Sequence, residues 1–122
     1  MNNLRQKDIE VNGEKISIPF PTVGQVMRIE AMKMTFSNNQ YPRMVGTGIP
    51  LIDFNLDLID TVCYFSVLIP DFATKFKADS MSPVELEAIK PWIKAYKDQW
   101  HPWFHPIMEG IMDFSVKGEK KD

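Results

Sequence analysis

Three aspartates, Asp53, Asp57 and Asp60, recur at spacings of four and three, which places their carboxylates on one face of a helix. Carboxylates so grouped can hold a hard divalent cation, but such sites draw ligands from several elements and from backbone carbonyls. The favoured reading is a solvated polar strip, extended one turn by Tyr64, on an otherwise apolar helix. His101, His105 and Glu109 stand at i, i+4 and i+8, and on one straight helix they would align three zinc ligands. Pro106 favours a fresh helix start capped by His105, however, and a break between the histidines would spoil the alignment, so no metal ligand is assigned. Cys63, the single cysteine, lies in the apolar run Val62-Cys63-Tyr64-Phe65 and reads as a buried, inert thiol. There is no Gly-x-Ser-x-Gly elbow, no phosphate-cradling glycine loop and no Rossmann fingerprint. The expectation is a protein that is not an enzyme and takes no cofactor.

What remains is apolar surface. Trp92, Tyr96 and Trp100 are four apart and stack along one helical face if the helix passes Pro91, with Trp103 and Phe104 close behind. Two readings stay open. These rings cover the core, or they form an interface, where Trp and Tyr are enriched. Eight methionines offer adaptable apolar surface, and Met27, Met32, Met34 and Met44 cluster in and after the first helix. The candidate partner-binding residues are therefore Met32, Met34, Tyr41 and Met44 in one patch and Trp92, Tyr96, Trp100 and Trp103 in another. If the second patch is an interface, Trp100→Ala with Trp103→Ala should leave the melting temperature close to the parent's.

The elements that position these residues follow from composition and pattern. A chain of 122 residues, 44% hydrophobic and 25% charged with a formal net charge of −2, fits one globular domain with its own core. That balance excludes wholesale disorder and argues against nucleic-acid binding. Residues 1–7 lack the apolar stretch of a secretory signal, and the three aspartates in 51–69 would be too costly in a bilayer. The expected compartment is the cytosol, with no membrane partner. Residues 8–20 read as a β-hairpin: Ile9, Val11, Ile16, Ile18 and Phe20 share one face, and Asn12-Gly13 supplies a type I′ turn. Thr22 caps a helix to about Phe36, with Val23, Val26, Met27, Ala31 and Met34 as its apolar stripe. Residues 41–50 form a loop with room for one helical turn. The helix over 51–69, apolar around most of its circumference, is expected to be the most buried element. Pro70 ends it, and a short continuation capped by Asp71 follows. Ser82-Pro83-Val84-Glu85 starts a helix with a capping box, and a last helix covers about 106–114. The fold class is α+β, mainly helical: a hairpin packed on four or five helices in one domain, with 22–114 helical and 115–122 a flexible tail.

The stretch Val11-Asn12-Gly13-Glu14-Lys15-Ile16-Ser17-Ile18-Pro19-Phe20-Pro21-Thr22-Val23-Gly24-Gln25 resembles the opening of small tail-assembly chaperones of long-tailed bacteriophages, in which such a hairpin leads into a helix. A hydrophobic helix ending in proline, here 58–70, is similar too, and the resemblance covers roughly residues 8–76. The Trp-His-Pro-Trp-Phe-His-Pro segment from Trp100 departs from that pattern, which leaves a permanent virion component, such as a neck, connector or tail subunit, as the alternative. The resemblance implies binding to phage tail proteins, chiefly the tape measure and tail tube subunits, in the host cytoplasm, no enzymatic activity, and a tendency to form homo-oligomers.

Overall fold

The computed structural model describes residues 6–76 and 83–113. The chain opens with an antiparallel hairpin, β1 (Gln6–Val11) and β2 (Glu14–Pro19), in a register that sets Ile9 opposite Ile16. Asn12 and Gly13 both take positive φ, 55° and 80°, as a type I′ turn requires. Alternation then buries Ile9, Val11 and Ile18 on one face, with Ile16 and Phe20 packed at its edge.

Helix α1 (Val23–Phe36) begins at Thr22, whose hydroxyl accepts from the Gln25 N–H while the Gln25 side chain accepts from the Thr22 N–H. This capping box satisfies two donors that the first turn would otherwise leave open. A single turn, α2 (Tyr41–Met44), precedes α3 (Pro50–Leu68), and another, α4 (Phe72–Lys75), follows it. Asp71 enters α4 in the left-handed region at φ 72° and makes no side-chain cap. Helix α5 (Pro83–Ala95) runs unbroken through Pro91. The proposed capping box lies outside the described residues at Ser82, as does the tail at 115–122.

Helix α3 is the centre of the molecule, with α1 and α2 on it from one side and α5 from another, while β1 lies on α5. Its burial is uneven: Ile59, Val62, Cys63, Phe65 and Leu68 are buried, whereas Leu51 is exposed and Phe54 and Leu58 are half-buried. Aromatic rings fill the space between α3, α4 and α5, where Phe65, Phe72 and Trp92 meet edge to face at centroid distances of 5.2–6.0 Å. The class is α+β, mainly helical, as the patterning predicts.

The C-terminal half differs from expectation in one respect. No helix break separates the two histidines; instead α5 passes into a π-helical turn, Tyr96–Trp100, and then into α6 (His101–Met112) with Pro106 inside it. Pro102 has no N–H for the Asp98 carbonyl, and the wider turn is closed by the His101 N–H donating to the Tyr96 carbonyl.

Candidate functional site

The sequence-derived candidates fall in three places. Trp92, Tyr96 and Trp100 are buried, the last completely. Trp100 stacks on Phe104 at 5.4 Å, and Tyr96 lies against Tyr64 at 5.3 Å, so this face is core and not an open interface. The wide π turn aims Tyr96 and Trp100 inward together, which four-residue spacing alone leaves undecided. Trp103 is half-buried, edge-on to Phe20 at 5.6 Å. In the other patch, Met32, Tyr41 and Met44 are half-buried against the core, Met34 is half-buried, and exposed Val45, Ile49 and Leu51 follow in sequence.

The aspartate strip also differs from the solvated stripe expected. Lys33 reaches inward from α1, and its Nζ lies 2.8 Å from Glu30 Oε2 and 4.0 Å from Asp60 Oδ1. The ammonium also sits over the rings of Tyr41 and Tyr64, 5.0 and 5.1 Å from their centroids. Tyr41 Oη donates to Asp60 Oδ1 at 2.5 Å, and Asp57 pairs with Lys97 at 3.1 Å. Asp57 and Asp60 are thus half-buried partners in a polar seam that ties α1, α2 and the π turn to α3. Burial raises the Asp60 pKa, an effect that Tyr41 and Lys33 oppose.

His101 and His105 do align on α6, their rings stacked at 4.7 Å and 16°, and His105 Nε2 lies 3.1 Å from Glu109 Oε2. Burial, and then the neighbouring His105, lower the His101 pKa. Among the described residues no group of three or more His, Cys, Asp or Glu is placed to hold a metal ion. Cys63 is buried, and burial pushes its thiol up to about 12, the opposite of an activated nucleophile.

Open apolar surface that lines a hollow lies between α1 and α6. Helix α1 carries two apolar faces, and the one turned inward bears Ile29, Met32 and Phe36, with Lys33 beside them. The expected core stripe is therefore corrected: Val23 and Met27 are 77% and 67% exposed. They face Ile111 on α6, itself 61% exposed, across a groove floored by Phe20 and Pro21. This apolar end encloses about 250 Å³. Val26 and Met108 are shared with a second cavity of about 400 Å³, which continues past Phe104 and Met112 to Glu30, Lys33 and His105. The groove thus runs from a wholly apolar end to a charged one. Its sequence signal was the pair of apolar faces on α1, more than one helix can bury against a single neighbour.

Neither family models, curated proteins nor solved structures yield a match to this chain. Among the described residues no helix is long and apolar enough to cross a membrane.

Proposed function

We propose that the protein is a non-enzymatic binding protein that grips an apolar segment of another protein in the groove between α1 and α6. The observation that carries this reading is the exposure of Val23, Met27 and Ile111 around one apolar hollow. Large side chains gathered this way in water mark interaction surfaces more often than chance exposure does. Methionines on both walls, Met27 and Met108, suit a surface that must adapt to its partner.

The particular role proposed is that of a tail-assembly chaperone in the host cytoplasm, binding the tape measure and tail tube proteins of a long-tailed phage. Support for it comes from the hairpin and Thr22-capped helix on which the resemblance rests. A chaperone needs a groove that is open before its client arrives. The alternative is a permanent virion subunit. Co-expression with the tape measure and tail tube proteins, followed by affinity capture, tests the binding, and Met27→Asp with Ile111→Asp should abolish it. Mass spectrometry of purified particles separates the two roles: a chaperone is missing from them, and a subunit is present in fixed copy number.

A further inference from the structure

We infer that Asn12 is a self-modification site: in the folded hairpin its side chain closes on the Gly13 nitrogen and yields aspartate and isoaspartate. The reaction needs water and no enzyme, and it does not depend on the binding reading above.

Access singles out this residue. Asn12 and Gly13 are exposed at the tip of the hairpin, and a Cβ built on Gly13 would meet nothing within 4 Å. The Gly13 N–H, the attacking group, makes no hydrogen bond among the described residues. Asn38 and Asn39 provide the contrast. Both also take positive φ, 56° and 64°, yet the nitrogen that follows each is engaged. Asn39 N–H donates to the Met34 carbonyl at 2.7 Å, and Gln40 N–H donates to the Ser37 carbonyl at 3.1 Å. Asn55 lies within α3, where the following N–H belongs to the helical ladder.

The turn also supplies the geometry. A succinimide ring requires ψ of about −120° at Asn12, the value of the first central residue of a type II′ turn, whose φ is about +60°. Asn12 already has φ 55°. Types I′ and II′ differ by rotation of the one peptide unit between their central residues, roughly 150° in ψ. That rotation carries Gly13 from φ 80° to negative φ, a change that glycine makes without a Cβ penalty. A type II′ turn also joins antiparallel strands, so Val11 and Glu14 stay paired while the ring closes.

Hydroxide takes the Gly13 proton and the nitrogen attacks Asn12 Cγ. The Cγ–NH2 bond then breaks, and the amide leaves as ammonia after regaining a proton from water. Water next opens the succinimide. Cleavage of the Cγ–N bond gives aspartate in a normal main chain, and cleavage of the other C–N bond gives isoaspartate, whose main chain is one atom longer. Nothing is oxidised or reduced. Either product adds a negative charge between Glu10 and Glu14 in sequence. Isoaspartate also spoils the two-residue turn, so the β1–β2 register loosens, and with it the Gln99 bonds to Glu10.

The test incubates the full chain at pH 8 and 37 °C, folded and in concentrated guanidinium chloride, and maps tryptic peptides by mass spectrometry. Peptide 8–15 carries Asn12, and peptide 34–43 carries Asn38 and Asn39. In the folded chain, 8–15 should gain one dalton at least tenfold faster than 34–43. The aged peptide should become a substrate of protein isoaspartyl methyltransferase, and the aged protein should exchange its Glu10 amide faster. Folded and denatured rates at Asn12 should agree within tenfold. Asn12→Gly keeps a type I′ sequence without the carboxamide, so it should hold the parent's melting temperature and gain no mass in 8–15. A folded rate more than tenfold below the denatured one would show a locked turn and overturn the inference. An unchanged 8–15, or conversion confined to 34–43, would overturn it as well.

Discussion

The side-chain amide of Gln99 makes two hydrogen bonds to the main chain of Glu10: the Glu10 N–H donates to Gln99 Oε1 at 2.8 Å, and Gln99 Nε2 donates to the Glu10 carbonyl at 3.0 Å. Strand β1 is an edge of the two-stranded sheet, with an outer row of main-chain groups that needs partners. One amide from the π turn takes the place of a third strand. The contact also fixes the hairpin to the C-terminal half across 89 residues of sequence. Two hydrogen bonds at a partly solvated site are worth about 1–2 kcal/mol together. Gln99→Ala should lower the urea midpoint accordingly and speed exchange of the Glu10 amide. Gln99→Glu keeps the acceptor, loses the donor and should fall between.

Trp100 gives a sharper test of what holds the C-terminal half. Its ring is fully buried, and its Nε1 has no hydrogen-bond partner among the described residues. Trp100→Ala should cost about 3–5 kcal/mol, contrary to the mild effect expected of an interface residue. Trp100→Phe keeps a ring against Phe104 and removes an unpaired buried donor, so its cost should stay under about 1.5 kcal/mol. Thermal melts of the two variants check the contrast. A mild alanine effect would contradict the burial.

Asp60 predicts a pH dependence with a definite sign. Burial raises its folded-state pKa above the ordinary 3.8, so between 3.8 and the raised value the folded chain binds more protons than the unfolded one. The contribution of Asp60 to stability therefore falls as pH rises through that window and is level above it. Asp60→Asn still offers Tyr41 an acceptor but cannot titrate. Urea unfolding from pH 3 to 7 should show a stability difference, variant minus parent, that grows as pH rises through the window and then levels off. A difference that shrinks would contradict the direction of the shift.

Local signals were legible where chain chemistry alone decides the outcome. Asn12-Gly13 dictates the turn, alternation dictates which hairpin face is buried, and Thr22 dictates the start of α1. Signals that depend on what an element packs against were not. Lys33 is buried because Glu30, Asp60 and two tyrosine rings surround it, and only Glu30 is near it in sequence. The π turn depends on Pro102, whose missing donor leaves a carbonyl four residues upstream without its usual partner. The open groove was hidden because an exposed apolar stripe and a core stripe have the same spacing.

The two faces of α1 supply the last prediction. Pro21 is buried and Phe20 packs on Trp103 and Phe104, and these contacts set the rotational phase at which α1 leaves the hairpin. In that phase Ile29 is 1% exposed while Met27, two residues earlier, lies in solvent. Ile29→Asp places an uncompensated charge in the core, which the fold cannot accommodate without partial opening. Met27→Asp and Val23→Asp place the same charge in water, and surface changes of this kind usually stay within about 0.5 kcal/mol. Soluble yield and melting temperature should therefore collapse for Ile29→Asp and hold for the other two. Partner capture should follow the opposite logic, with the well-folded Met27→Asp variant losing it. If Met27→Asp instead unfolds the chain, α1 is rotated toward the stripe that spacing alone favours, and the groove between α1 and α6 is closed.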